Sequence, residues 1–211
     1  MKEPFLKRPF DICLSGAGLL LSSWLWALIC ILIIIEDGTP LFIRQYRTGK
    51  DGKIFRSFKF RSMHKSTLKE KVSIQASEND PRVTRVGKFL RKTAFDELPQ
   101  LLNIFLGDMS FVGPRALLPV EVEVNSDRDT IHIASIPGYK KRITVRPGLT
   151  GIAQVYAARD LARKHKFKYD LLYIRKMNIF LDLKLIFLSF LVTFNGRWEK
   201  RGMKLEILEK K

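Results

Sequence analysis

TAFDELPQLLNIFLGDMSFVGPR, residues 93–115, sets two adjacent carboxylates, Asp96 and Glu97, at the start of a predicted helix. Pro99 lacks an amide donor and its ring clashes with a preceding helical turn, so it belongs in a first turn and the helix is expected to begin close to Asp96. Leu98, Leu101, Leu102 and Phe105 then form one apolar stripe, and Gly107 is the expected stop. The two carboxylates would lie at the positive end of the helix dipole, where anionic side chains are favoured and phosphate groups also bind. Alone, such a pair is a capping device. Its setting in a strongly basic chain points to phosphate chemistry.

The 211 residues, 46% of them hydrophobic, suffice for one ordinary domain with a sizeable core, which excludes a disordered chain. Against 21 acidic residues stand 38 Lys and Arg, a net charge of +17, so the natural partners are anionic: nucleic acid, anionic lipid or phosphorylated small molecules. Arg44 to Lys92 holds 15 basic residues against four acidic ones, +11 of that total. With Phe55, Phe58 and Phe60 available for stacking, this region would also suit a membrane-tethered nucleic-acid-binding module.

Ile12 to Ile35 is 24 residues without a charge, more than the roughly 20 needed to cross a bilayer. The run is too long for the core of a secretory leader, and no small-residue cleavage site precedes Glu36. Both flanks are positive, with Lys2, Lys7 and Arg8 before it and Arg44, Arg47, Lys50 and Lys53 after it. A re-entrant helix with both ends in the cytoplasm satisfies that pattern; a single span is the commoner object. Ser22 and Ser23 lie mid-segment, where hydroxyls bonding back to the preceding turn can bend a helix. Trp24 and Trp26 just beyond suit a shallow position better than a bilayer centre. Cys13 and Cys30 read as small lipid-facing or packing residues and not a disulfide, and His64, His132 and His165 are too scattered for a zinc site. No nucleotide-binding glycine fingerprint occurs.

PLFIRQY and KIFRSFKFRSM read as two strands joined by a polar loop from Thr48 to Lys53, a β-hairpin. Phe58 and Phe60 would face one way, Lys59 and Arg61 the other, with a solvated basic row as the plain reading. His64 to Asn79 reads as a loop or short helix. Asp80 or Thr84 then caps a helix with Val86, Phe89 and Leu90 on one face. FVGPR, IPGY and VRPGLTG are turns whose backbone amides could be left for a ligand, and two of them carry Arg115 and Arg146. After a basic stretch from Arg159 to Lys176, the apolar DLKLIFLSFLVTF run from Asp182 is either a helix lying on a membrane or a buried domain helix. Arg197 to Lys211 reads as a tail.

Taken in order, KRPFDI, KFRSM, NDPRVTRVGKFLRKTAFDELPQLLN, GDMSFVGPR, VRPGLTGIAQV and YIRKMNIFLDLK resemble the small monotopic phosphoglycosyl transferases, the bacterial sugar transferases, over nearly the whole chain. The resemblance implies a mostly helical α/β protein: a re-entrant membrane helix over 1–37, a cytoplasmic catalytic domain over 38–196 with a β-hairpin and amphipathic interfacial helices, and a basic tail over 197–211. It implies transfer of a sugar phosphate from a UDP-sugar to undecaprenyl phosphate at the cytoplasmic face of the bacterial inner membrane. In that reading Asp96 is the nucleophile that forms an aspartyl phosphosugar, Glu97 helps hold Mg²⁺, and Lys59, Arg91, Arg115 and Arg146 surround the diphosphate. Membrane lipids are the other expected partners, and nucleic acid is not one. Arg47 and Arg82 are further candidates, read as structural by default. Two positions depart from the family pattern: Ser22-Ser23 stands where Ser-Pro marks the bend, and Ala116 replaces the second proline of GPRP.

Overall fold

The structure is a computed structural model that describes residues 3–69, 80–124, 130–158 and 161–194. It opens with one helix, α1, Lys7–Asp37, continuous through Ser22 and Ser23. Both serine hydroxyls do bond back, Ser22 Oγ to the Gly18 carbonyl at 2.6 Å and Ser23 Oγ to that of Leu20 at 2.8 Å. Among the described residues α1 alone is long and apolar enough to cross a membrane, with a mean hydropathy of 2.5. Leu20, Leu21, Trp24, Leu28, Ile31 and Ile35 are exposed along one side.

The other side of α1 is bound to the rest of the chain at both ends. Near its start, Lys7 is buried against Tyr173 and Asp182, Asp11 accepts from Ser110 Oγ and the Phe111 amide, and Arg8 donates to the carbonyls of Ile104 and Phe105. At its end, Glu36 accepts from the amides of Arg85 and Val86, and Asp37 from that of Lys65. Midway, a Cβ on Gly16 would touch the Phe105 ring at 3.4 Å and one on Gly18 would meet Leu101 at 3.2 Å. These glycines therefore let the helix approach closely.

The expected hairpin is present: β1, Phe42–Thr48, pairs antiparallel with β2, Ile54–Phe60, setting Phe42 opposite Phe60 and Ile43 opposite Lys59. Arg61, expected on a solvated row, is instead 2% exposed and donates to the carbonyls of Asp37 and Gly38, closing the end of α1. Thr84 caps α2, Arg85–Thr93, by accepting from the Gly87 amide, while Asp80 holds Arg82.

The next helix starts later than Asp96. Ala94 turns left-handed at φ 58°, Phe95–Glu97 form a 3-10 turn, and α3 spans Gln100–Leu106, ending at Gly107 with φ 100° as expected. Pro99 explains the displacement, because it has no N–H to give the Phe95 carbonyl, which accepts from Leu98 in the tighter i→i+3 pattern. The buried face is also different: Leu101, Asn103 and Ile104 are inside, whereas Phe105 is 44% exposed.

Beyond α3, β3, Ser110–Val112, lies ahead of a small antiparallel pair, β4, Val122–Val124, and β5, Thr130–His132. α4, Tyr139–Arg142, and β6, Gly148–Thr150, follow, and β6 pairs parallel with β3. The FVGPR and VRPGLTG turns are thus stitched together, and the amides of Gly113 and Gly148 at their centres are already bonded. Gly113 donates to the Thr150 carbonyl, Gly148 to that of Pro114 and Ser110 to that of Pro147. A Cβ on Gly148 would come 2.0 Å from the Gly113 nitrogen, so only glycine fits this contact.

α5, Ile152–Tyr156, α6, Arg163–Lys176, and α7, Ile179–Phe194, complete the fold. The main core joins Phe55, Ile104, Val112, Val145, Ile152, Tyr173, Ile174 and Leu185; a smaller one packs Ile29 and Ile33 of α1 on Phe60 and Leu90. On α7 only Asp182 and Leu185 are buried, and Phe180, Leu183, Phe187, Phe190, Leu191 and Phe194 are exposed, which favours the surface-lying alternative over a buried domain helix. The cysteines are unpaired. The tail over 197–211 and most of the loop before Asn79 lie outside the described residues.

Candidate active site

Asp96 and Glu97 stand half-buried in the 3-10 turn between α2 and α3, directly after the left-handed Ala94. An alanine at positive φ is sterically costly, and here it ends α2 and turns the dyad toward the hairpin. Lys59 reaches across from β2 and forms an ion pair with Glu97.

The two carboxylates are driven apart in acidity. Burial, and then the negative charge of Glu97, push Asp96 up to about 6, against the opposing pull of Lys59 and Arg91. Glu97 is subject to burial too, but Lys59, Arg115 and Arg47 outweigh it and hold this carboxyl below its usual range. Adjacent like charges with unequal cation support resolve in this way. At neutral pH both are ionised, Asp96 being the more basic.

Arg91, in the last turn of α2, donates its Nε to Ser62 Oγ at 2.9 Å. Arg115 is exposed in the turn after β3, and its carbonyl accepts from Arg142 at 2.6 Å. Arg142 is itself buried, paired with Asp170 at 3.0 Å and lying over the Phe167 ring, so it fixes the turn that carries Arg115. The structure thus gathers Lys59, Arg91 and Arg115 around the dyad. Arg146 has a different neighbour: its side chain pairs with Glu3 at 2.7 Å and its amide donates to the same carboxylate.

Arg47, a further candidate read from sequence as structural by default, belongs to this cluster. It is half-buried, donates to the Ala116 carbonyl and to Gln45 Oε1, and acts electrostatically on Glu97. Burial first, then the adjacent Arg115, lower its guanidinium to about 10. Strand alternation contains the signal. Ile43 lies opposite Lys59, so Ile43, Gln45 and Arg47 share the face that Lys59 presents to the dyad. Thr48, Gly49, Pro114, Arg115, Arg142, Ile143, Val145 and Pro147 line a small adjoining cleft.

No three His, Cys, Asp or Glu gather as a ligand group among the described residues. Two neighbouring carboxylates do fit a hard divalent cation such as Mg²⁺, which keeps several waters and is commonly shared between one or two carboxylates and substrate phosphates.

The family profile described as bacterial sugar transferase matches residues 2–196. The chain belongs to this family. Among its similar sugar transferase relatives is the UDP-glucose:undecaprenyl-phosphate glucose-1-phosphate transferase of Klebsiella pneumoniae, 45% identical over 188 residues, which cover 87% of this chain and 39% of that one. Another is the exopolysaccharide production protein PSS of Rhizobium leguminosarum bv. phaseoli, 37% identical over 187 residues, covering 86% of this chain and 92% of the relative. The UDP-N-acetylgalactosamine-undecaprenyl-phosphate N-acetylgalactosaminephosphotransferase of Aeromonas hydrophila is 37% identical over 195 residues, covering 91% and 44%. The chain thus spans well under half the length of the two transferases named for their sugars, and most of that of the Rhizobium protein. The motifs that carry Asp96, Glu97 and the surrounding cations all fall within the matched segment.

Proposed function

We propose that this bacterial sugar transferase moves a sugar 1-phosphate from a UDP-sugar to undecaprenyl phosphate, giving undecaprenyl diphosphate sugar and UMP. The observation that carries the proposal is the half-buried Asp96–Glu97 dyad ringed by Lys59, Arg91, Arg115 and Arg47. Names of the related transferases support the acceptor and the donor class.

The chemistry follows from the unequal acidities. Asp96 is ionised at neutral pH yet the more basic carboxylate, and it makes no ion pair among the described residues, so it is the freer nucleophile. One of its oxygens attacks the phosphorus that bears the sugar; a P–O bond forms, the bond to the bridging oxygen breaks, and UMP leaves with that electron pair. An oxygen of the lipid phosphate then attacks the same phosphorus and releases the Asp96 carboxylate. No proton transfer is needed in either step. An acyl phosphate keeps the phosphoryl group activated, so one displacement between two poor nucleophiles becomes two easier ones. Lys59, Arg91, Arg115 and Arg47 supply fixed positive charge where charge builds on the transferring phosphoryl oxygens. Glu97 would share Mg²⁺ with substrate phosphate, and the bound cation would neutralise diphosphate charge. Arg146 would reach the diphosphate only by leaving Glu3.

A monotopic, re-entrant placement of α1 at the cytoplasmic face fits this reading. What supports it is that both ends of the 31-residue helix are bonded to the same folded body, an arrangement unsuited to a straight span with that body on one side. The exposed apolar side of α7 would add a second membrane contact. The lipid phosphate could then meet Asp96 while its tail stays in the bilayer.

The test is UMP release by the detergent-solubilised protein with Mg²⁺, undecaprenyl phosphate and a panel of UDP-sugars. Release should require lipid phosphate and disappear in Asp96→Asn, whose fold and membrane binding persist. Near-normal turnover in that variant would remove Asp96 as the nucleophile.

A further inference from the structure

One face of the β1–β2 hairpin serves the dyad; the other has no role in the chemistry above. Alternation turns Lys59 and Arg47 inward, leaving Phe42, Arg44 and Tyr46 of β1 and Arg56, Phe58 and Phe60 of β2 on the outer face. The register sets Arg44 opposite Phe58 and Tyr46 opposite Arg56. Each arginine lies over its cross-strand ring, Arg44 at 5.8 Å from Phe58 and Arg56 at 5.5 Å from Tyr46. Both arginines are exposed, as are Tyr46 and Ile54, and among the described residues neither arginine has a carboxylate partner. The ring face attracts each guanidinium, whose N–H donors suit an oxyanion.

This face begins at the membrane segment. Phe42 stacks on Phe60 at 5.1 Å, and both rings contact Trp26 of α1, at 6.1 and 5.4 Å. A strip therefore runs from the apolar helix through aromatic rings to two exposed arginines and the exposed Tyr46 and Ile54. That order, apolar to aromatic to cationic, matches the passage from acyl chains through the interface to head groups.

We propose that the outer face of the hairpin docks on anionic phospholipid head groups of the membrane that holds α1, with Arg44 and Arg56 as the phosphate-binding residues. The proposal rests on the membrane reading of α1 and on no feature of the catalytic dyad.

The test uses the full chain in mild detergent, titrated with phosphatidylglycerol or phosphatidylcholine and followed by native mass spectrometry. We expect about tenfold tighter binding of phosphatidylglycerol, reduced to within about twofold of phosphatidylcholine in Arg44→Gln/Arg56→Gln, with UMP release unchanged. Arg44→Lys/Arg56→Lys should regain most of the preference, which would separate lost charge from a disturbed hairpin. An undiminished preference in the Gln variant, or none in the parent protein, would overturn the proposal. So would selective loss of single-stranded DNA binding in that variant with lipid preference intact. Retention on pure phosphatidylcholine vesicles, measured in parallel, tests the membrane reading separately: a retained protein without the preference sinks only the head-group docking.

Discussion

Lys59 is ion-paired to Glu97, not to its neighbour Asp96, so one carboxylate of the dyad is committed to a cation while the other stays basic. This asymmetry fixes a pH dependence. With Asp96 raised to about 6 chiefly by burial, kcat/KM for the sugar donor should fall as pH drops through about 6, with unit slope. Lys59 opposes the rise, so Lys59→Met should move that acid limb to higher pH as well as lowering the plateau. UMP release measured from pH 4.5 to 8.5 checks both. A limb that remained near the ordinary carboxyl value would show that Asp96 is not the titrating group.

The same shift has a consequence for stability. Asp96 binds its proton more tightly in the folded chain than in the unfolded one, so its ionisation costs stability. The cost is absent below about pH 4, grows as pH rises toward 6 and is complete above it, on the order of 2 kcal/mol. Asp96→Asn should therefore melt at higher temperature than the parent at pH 7.5 and at the same temperature near pH 4. Melting curves in detergent at the two pH values distinguish this from a pH-independent effect.

Arg47 sits beside Arg115 with its guanidinium held by the Ala116 carbonyl and Gln45. Arg115 opposes the charge on Arg47, Glu121 and Glu97 support it, and a bound diphosphate would share both guanidiniums. Arg47→Gln should lower kcat/KM for the donor by roughly 10–100-fold, and Arg47→Lys should recover only part, because a point charge cannot replace a planar fork. Steady-state kinetics with donor and lipid varied separately will locate the loss; a change confined to the lipid would place Arg47 on the acceptor instead.

What is legible in the sequence is local. The hairpin, the Thr84 cap and the Gly107 stop each follow from neighbouring residues, and all three are present. The onset of α3 at Gln100 follows from Pro99 and its missing N–H; what has no sequence mark is the left-handed Ala94, which places the dyad in a 3-10 turn ahead of that helix. The parallel pair β3–β6 reads as two separate turns, since Gly113 and Gly148 meet only in the fold. Arg47 looks structural along the chain because its partner Ala116 lies 69 residues away. Cations close to the dyad in the chain can be picked out by position; those brought by tertiary contact look the same as solvated ones.

Ala94 itself offers a direct test of strain beside the dyad. Glycine adopts φ 58° without a Cβ clash, although its unfolded chain is more flexible, so Ala94→Gly should stabilise the protein by roughly 0.5–1 kcal/mol. If the left-handed turn is what aims Asp96, activity should hold within about twofold, since the same turn is retained. A destabilised variant would mean that the Ala94 methyl makes a packing contribution larger than its backbone strain.

Two buried residues tie the start of α1 to α7. Lys7 Nζ is buried 2.5 Å from Asp182 Oδ2 and also donates to Tyr173, whose hydroxyl bonds to Asp182 Oδ1 at 2.7 Å. Removing one partner leaves a charge without its counterpart in a site closed to water. Lys7→Met should thus cost about 3–5 kcal/mol, and Asp182→Leu a similar amount, whereas the double variant should recover much of either loss. A thermodynamic cycle from denaturant melts of the four proteins measures the coupling. Additive losses would show that Lys7 and Asp182 act independently, each through Tyr173, and that the ion pair is not what holds the two helices together.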